Sequence, residues 1–294
     1  MAKRRCTLFF LTLLAGVTFF GVAAYSQEPT PEVPYVPTPQ EVVVEMLKMA
    51  GVTRNDIVYD LGCGDGRIVI TAARDFGARG VGVDNDPTLI QQSNENARKA
   101  GVTDRVKFIE EDLFKTDIRE ASVVTLYLLP ELNLMLRPKL LRDLKPGSRI
   151  VAHEFDMGDW KPDRTGKGPK VKLYYHPTIP YEKETYFYYW IVPANAEGVW
   201  RWTLSTPSGD QDYTLHLVQK FQEIHGSVQT SGQETLIADA QLVGDQLSFT
   251  LREDRDERKV VMQFNGRINR EDIAGRVEVQ GGPSAGDYAW TAKR

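Results

Sequence analysis

The sequence predicts two folded units in series: a doubly wound α/β sheet, then a small antiparallel all-β barrel or sandwich. Between Pro39 and about Pro193, strand-like apolar runs alternate with segments whose apolar residues recur at helical spacing. That alternation, with short connections, belongs to parallel strands joined by helical crossovers. After Pro193-Ala194-Asn195-Ala196 the period becomes the two-residue alternation of half-buried strands. The length of 294 residues suits about two domains at roughly 150 residues each.

Each element has its own warrant. Thr38-Pro39 offers a cap with proline at the first helical position, and Val42, Val43, Met46, Leu47 and Met49-Ala50 follow at helical spacing. Ile57-Val58-Tyr59 reads as a buried strand, Ile68 to Ala73 as a helix and Gly80 to Val83 as a strand. Pro87 to Ala100 is a helix ending before Gly101, and Val106 to Ile109 and Val123 to Leu128 are strands. Leu132 to Leu144 is a helix stopped by Pro146-Gly147, and Ile150 to Ala152 is again a strand. Two aromatic runs, Val171 to Tyr175 and Tyr186 to Ile191, predict a closing antiparallel pair. Eight alternating runs then begin near Trp200, Tyr213, Ile224, Thr235, Leu247, Val260, Ile273 and Tyr288. Ile224-His225-Gly226-Ser227-Val228 and Ile273-Ala274-Gly275-Arg276-Val277 form a weak internal repeat. Arg252 to Lys259 carries four positive and four negative charges and reads as a solvated hairpin tip.

Composition excludes several classes. Lys+Arg is 36 against Asp+Glu 40, a net charge of −4, too even for a chain that holds nucleic acid by bulk electrostatics. Two cysteines, Cys6 and Cys63, supply neither a disulfide framework nor a structural zinc cage, and no metal site is expected. Lys3, Arg4 and Arg5 precede an uncharged run from Cys6 to Ser26, and Ala24-Tyr25-Ser26 places small residues at −3 and −1 before Gln27. This is the pattern of a secretory signal peptide. The alternative is an uncleaved anchor, since residues 7–24 as a helix span about 27 Å, slightly short of a ~30 Å hydrocarbon core. Either way the chain beyond is expected to be exported, to the periplasm or cell envelope, or membrane-anchored facing outside. The expected divisions are 1–26 signal or anchor, 27–38 Pro-rich tether, 39–193 α/β domain and 198–294 β domain. The β domain is expected to fold by itself and to take no part in cofactor binding.

The chemistry lies in the first half. Val58-Tyr59-Asp60-Leu61-Gly62-Cys63-Gly64-Asp65-Gly66 joins a strand to a helix, and its alternate glycines permit positive φ and close approach of a ligand to backbone. The spacing is G-x-G-x-G, not the G-x-G-x-x-G of dinucleotide binders, and Asp60 suits a cationic or amino-bearing ligand better than a pyrophosphate. Asp84 ends the second strand, where a carboxylate would accept bonds from a ribose diol. Asp112 follows the third strand and could accept from an adenine amino group. Singly, each has a bland reading as a tight turn, a helix cap or a solvated loop. Three acids at successive strand ends have no comparable structural reading.

These residues resemble the first three motifs of the class I S-adenosylmethionine-dependent methyltransferases, over about residues 35 to 192. The resemblance implies a Rossmann-like doubly wound sheet of the methyltransferase type. It implies that Gly62, Gly64 and Gly66 hold the methionine part of S-adenosyl-L-methionine, that Asp84, with Asn85 beside it, binds the ribose, and that Asp112 and Leu113 meet the adenine. Tyr35-Val36-Pro37 and Asp60 to Val69 look more narrowly like small membrane-associated protein-lysine methyltransferases, which adds Tyr35 to the cofactor-binding set. Asp159-Trp160-Lys161-Pro162-Asp163 is similar to a His-Trp-x-Pro-Asp stretch in them. Leu126-Tyr127-Leu128-Leu129-Pro130 departs from the Asn/Asp-Pro-Pro-Tyr of base-modifying amino methyltransferases, so nucleic acid is a poor substrate candidate.

The implied reaction is methyl transfer to a nucleophile, a protein lysine amine before a small molecule. A lysine amine must lose its proton before attack. Tyr127, His153, Glu154 and Asp156 at the fourth and fifth strand ends would face it, although each has a structural reading. Trp160 reads equally as a wall of the substrate channel or as packing. Membrane association through residues 7–24 is a further expectation. Two other classes stay open at this point: a non-catalytic S-adenosylmethionine-binding protein, and an envelope-binding protein whose β domain carries the function.

Overall fold

The computed structural model describes residues 35–173, 181–255 and 258–294. The expected signal or anchor, residues 27–34 of the tether and the end of the first aromatic run lie outside the described residues. Among the described residues, no helix is long and apolar enough to cross a membrane.

The first half runs α1 (Gln40–Met49), β1 (Ile57–Leu61), α2 (Arg67–Phe76), β2 (Arg79–Asp84), α3 (Pro87–Ala100), β3 (Val106–Glu110), β4 (Val123–Leu126), α4 (Pro130–Asp143), β5 (Arg149–His153), β6 (Arg164–Leu173) and β7 (Tyr181–Ile191). The seven strands lie in the order β3-β2-β1-β4-β5-β7-β6. β1 to β5 are parallel and β7 is antiparallel to both β5 and β6. Chain order reverses between β1 and β4, the place where α/β sheets open a ligand crevice beyond their carboxyl ends. Period-two alternation divides the core. Val58, Val123 and Val151 pack with Val42, Met46 and Leu47 of α1 and Ile68 and Val69 of α2 on one face. Tyr59, Val124 and Ile150 pack with Leu132, Leu136 and Leu140 of α4 on the other.

Three local expectations need correction. The N-cap of α1 is Pro39, with no side-chain cap bond; the Thr38 carbonyl instead accepts from Arg67. β6 begins at Arg164, ahead of the aromatic run, and crosses Gly168 and Pro169. A register shift between Lys167 and Lys170 takes up the proline, which an edge strand tolerates. The connection from β5 to β6 contains no helix. Trp160 covers the sheet there, fully buried, with its ring 5.9 Å from that of Trp190. It is packing, not a channel wall.

The second half runs β8 (Gly198–Thr206), β9 (Gly209–Lys220), β10 (Glu223–Thr230), β11 (Gln233–Leu236), β12 (Ala238–Val243), β13 (Gln246–Arg255), β14 (Arg258–Asn269), β15 (Asp272–Gln280) and β16 (Gly286–Lys293). They form one antiparallel sheet in the order β11-β10-β9-β8-β16-β15-β14-β13-β12. The described residues thus hold one more strand than the eight runs, because the run near Thr235 breaks at Ile237 into β11 and β12. The Ile237 N–H donates to the Gly226 carbonyl at 3.1 Å, which brings β12 towards β10 and nearly closes the sheet into a barrel. Stacked aromatic pairs fill it, Trp202 on Tyr213 at 5.1 Å and Phe249 on Phe264 at 4.7 Å, as a small barrel requires. The weak repeat has a steric cause: a Cβ at Gly226 would collide with the His216 carbonyl, and one at Gly275 with that of Asn265. The charge run is not solvated throughout, because Glu253 is buried.

Candidate active site

Five parallel strands end together, and the candidate residues gather at those ends. Leu61 is in register with Val83 and with Leu126, and Leu126 with Ala152. Beyond Leu61 the chain turns sharply, because the N–H groups of Gly62 and Cys63 both donate to the Val83 carbonyl, at 2.8 and 2.9 Å. Gly62, Gly64 and Gly66 then adopt φ of 84°, 54° and 78°, a left-handed conformation that side chains resist. Gly66 is the N-cap of α2 and has no side chain to cap it; Asp65 Oδ1 instead accepts the first-turn Arg67 N–H at 3.2 Å.

Asp84 faces this loop. Its Oδ2 accepts the Gly64 N–H at 2.8 Å and its Oδ1 the Asp86 N–H at 3.1 Å. A carboxylate offers about four acceptor directions, so two remain for hydroxyl donors. The cap of α3 is Asp86, which accepts from Thr88 N–H at 2.7 Å, and not Asp84. Asn85 lies exposed between them. Asp112 follows β3 half-buried, with Oδ1 taking the Phe114 N–H at 2.9 Å and Lys115 3.3 Å from Oδ2. Leu113 beside it is half-buried.

Asp60 is 2 % exposed and accepts from the Thr125 hydroxyl at 2.6 Å across adjacent strands. Burial pushes its carboxyl up to about 7, and the charges of Asp84 and Asp65 push the same way. Three acids around one glycine loop make a site that favours a cation. Burial likewise raises the Cys63 thiol, which is not poised for nucleophilic chemistry.

Residues 35–38 cross the loop from outside. A Cβ on Gly64 would collide with the Tyr35 ring, so that ring lies directly on the glycine. Burial and the neighbouring Asp65 charge push the Tyr35 phenol up. Arg67 binds Asp65 through Nε at 2.9 Å and Nη2 at 2.6 Å, and its Nη1 donates to the Thr38 carbonyl at 2.8 Å. Burial works against the Asp65 carboxylate, but the Arg67 hydrogen bonds outweigh it and hold that acid low.

The second group of candidates stands at the ends of β4 and β5. The half-buried Tyr127 ring lies 4.2 Å from that of His153, which is 2 % exposed and 6.1 Å from Phe187. Glu154 has φ of 66°; its N–H donates to the Tyr186 carbonyl at 2.8 Å and its Oε1 stands 3.6 Å from His153 Nε2. Tyr127, His153 and Glu154 are therefore brought together. Asp156 is not part of this group: it is exposed and its Oδ1 accepts the Gly158 N–H at 3.0 Å, a turn role.

Sequence reasoning missed the groups that set the loop. Ser93 donates to the Gly64 carbonyl at 2.8 Å and Asn96 to that of Asp65 at 3.0 Å. They are spaced i, i+3 on α3, and two polar residues on the inward stripe of that helix were the available signal. Thr125 and Arg67 had none, since each depends on strand register or on a distant carbonyl.

The ANTKMT methyltransferase domain family matches residues 60–164. A protein-lysine N-methyltransferase of Saccharolobus islandicus is 53 % identical over 133 residues, 45 % of this chain and 83 % of that protein. A human lysine N-methyltransferase named for ATP synthase is 36 % identical over 167 residues, 54 % of this chain and 71 % of that protein. A crystal structure described as an RNA methyltransferase from Salinibacter ruber with S-adenosyl-L-homocysteine is 51 % identical, covering 54 % of this chain and 95 % of that one, at a TM-score of 0.48. The family match ends before the β half.

Proposed function

We infer that this chain, which belongs to the S-adenosylmethionine-dependent protein-lysine N-methyltransferases, methylates lysine side chains of a protein acceptor. The observation that carries this is the span of the family match: residues 60–164 contain the glycine loop, all the strand-end acids and the Tyr127–His153–Glu154 group.

The residues present fit the cofactor. Asp84 would hold the ribose hydroxyls, Asp112 and Leu113 the adenine, and Asp60 with Gly62, Gly64 and Gly66 the methionine part, with Tyr35 over the loop. When bound, S-adenosylmethionine supplies a methyl group on a cationic sulfur. Attack by the amine would break the C–S bond and release a neutral thioether, so this chain would need no acid for the leaving group. Its tasks are to align the amine, exclude water and accept the amine proton. Tyr127 would flank the amine, while Glu154 and His153 beneath it would receive or relay the proton. The basic start at Lys3, Arg4 and Arg5 and the uncharged run from Cys6 to Ser26 support an exported or membrane-anchored location for this activity, which fractionation and N-terminal sequencing test.

The full chain incubated with methyl-labelled S-adenosylmethionine, a protein fraction and total RNA tests the reading. Label should appear as methyllysine after protein hydrolysis. Label in RNA, or in neither, overturns it.

A further inference from the structure

The β half reaches into the transferase half through the two-residue turn between β9 and β10. Phe221 at that turn has φ of 56°, a conformation hairpin turns give to glycine, asparagine or aspartate and not to phenylalanine. What the turn gains is position. The Phe221 ring stacks on Trp160 at 5.6 Å and 20°, beneath the Arg137 guanidinium at 5.2 Å. It packs against the transferase core, not the barrel core. Gln222 accepts from Trp160 Nε1 at 2.9 Å and donates to the Lys161 carbonyl at 2.7 Å. Gln219 fixes the turn in place, donating to the Phe221 carbonyl at 2.6 Å while accepting from Ala196 N–H at 2.6 Å.

The segment so gripped is the β5–β6 connection, which begins at Glu154 on the acceptor side and has no helix of its own. Arg137 carries the contact upward, donating to the Met157 carbonyl at 2.7 Å and pairing with Asp159 at 2.6 Å. Asn133 donates to the carbonyls of Phe155 and Asp156 at 3.2 and 3.3 Å. Phe155 in turn stacks with Tyr127 at 6.5 Å. A chain of named contacts therefore runs from the β-half turn to the residues around the methyl acceptor.

We propose that Phe221 and Gln222 are positioning residues for methyl transfer, holding the 154–163 connection in the place a crossover helix would otherwise occupy. The β half is then a brace for the acceptor side, independent of the cofactor side. Deepening the lysine methyltransferase reading, the proposal rests on it for its turnover arm only.

The test uses the full chain with Phe221→Gly, which relieves the turn while deleting the ring, and Phe221→Tyr, which keeps the ring. Hydrogen exchange of residues 155–160, calorimetric affinity for S-adenosylhomocysteine and the rate of methyllysine formation in the protein fraction are read together. Phe221→Gly should speed exchange there and cut the methylation rate about tenfold, the scale of a small misalignment. Its S-adenosylhomocysteine affinity should stay within about twofold, and Phe221→Tyr should behave as the unaltered chain. Unchanged exchange or unchanged turnover in Phe221→Gly overturns the proposal, and so does loss of S-adenosylhomocysteine binding, which would make the turn a prop for the whole fold. If the unaltered chain forms no methyllysine, the lysine reading fails, and exchange with binding still decides whether the turn holds the connection.

Discussion

The Asp84 carboxylate accepts the backbone N–H of Gly64 at 2.8 Å, so the acid at the end of β2 and the glycine loop after β1 are one unit. An acid there serves two ends, holding the loop and keeping acceptor directions for ligand hydroxyls. The sequence-based view of Asp84 as an acceptor for a ribose diol omits the first.

For Asp84→Ala, two lost hydrogen bonds to a charged acceptor should weaken S-adenosylmethionine binding by roughly 2–4 kcal/mol, about 30- to 1,000-fold. Loss of the Gly64 bond should also lower stability by about 1 kcal/mol. Asp84→Asn should lose less of both. Asp86→Ala, which removes the α3 cap, should cost about 1 kcal/mol of stability with little effect on affinity. Titration calorimetry beside thermal melts reads all three. Full affinity in Asp84→Ala would remove that residue from the cofactor site.

Asp60 gives a pH dependence with a definite sign. Its folded-state carboxyl, raised to about 7 by burial, holds its proton where the unfolded chain has lost it. Its contribution to stability is therefore full below about pH 4, falls as pH rises towards 7, and is constant above. The span is at most about 4 kcal/mol, from roughly three pK units. Asp60→Asn should flatten this slope and melt higher than the unaltered protein at pH 8. A cation beside Asp60 favours the carboxylate, so affinity for S-adenosylmethionine should rise between pH 6 and 8 and be flat in Asp60→Asn. Parallel melting curves across that range would refute the assignment.

The parallel strands of the α/β half were legible because they are short, mostly apolar runs between helical segments, as at Ile57–Leu61 and Val123–Leu126. The acids at Asp60, Asp84 and Asp112 were legible because parallel strands bring their ends together whatever lies between. What escaped depends on contacts the chain does not advertise locally. The start of β6 is polar and contains Pro169, and only its pairing with Tyr186 and Phe187 makes it a strand. β12 was hidden because Ile237 carries the alternation through the corner it turns. Nothing in the sequence around Phe221 marks it, since its neighbours do not tell that its ring packs on the transferase core and not on its own barrel.

Tyr35 and Gly64 should be coupled. Gly64→Ala forces a Cβ into the Tyr35 ring at a φ of 54°, so it should both strain the loop and expel the ring. Affinity for S-adenosylhomocysteine should fall at least tenfold in Gly64→Ala and severalfold in Tyr35→Ala, order-of-magnitude figures for disrupting a packed contact. The double variant should be weaker by less than the sum of the two, as for residues in contact. Strict additivity in a four-variant calorimetric cycle would show that Tyr35 acts elsewhere.

Arg67 should act as the latch of residues 35–38. Its guanidinium spans Asp65 and the Thr38 carbonyl with side chains only 29 % and 13 % exposed for Arg67 and Asp65, so the pair is sheltered enough to matter. Arg67→Ala frees the strap while leaving the sheet core untouched. Cofactor affinity should drop by about 1 kcal/mol, or roughly fivefold, the scale of one ordinary net hydrogen bond. Limited proteolysis between residues 35 and 39 should accelerate, with little change in the main thermal transition. Arg67→Lys should not restore either property, because an ammonium cannot make the forked contact with Asp65 and reach Thr38 at once. If lysine restores both, charge alone holds the strap and the forked geometry is incidental; if alanine changes neither, the Tyr35 ring keeps its place on Gly64 without Arg67.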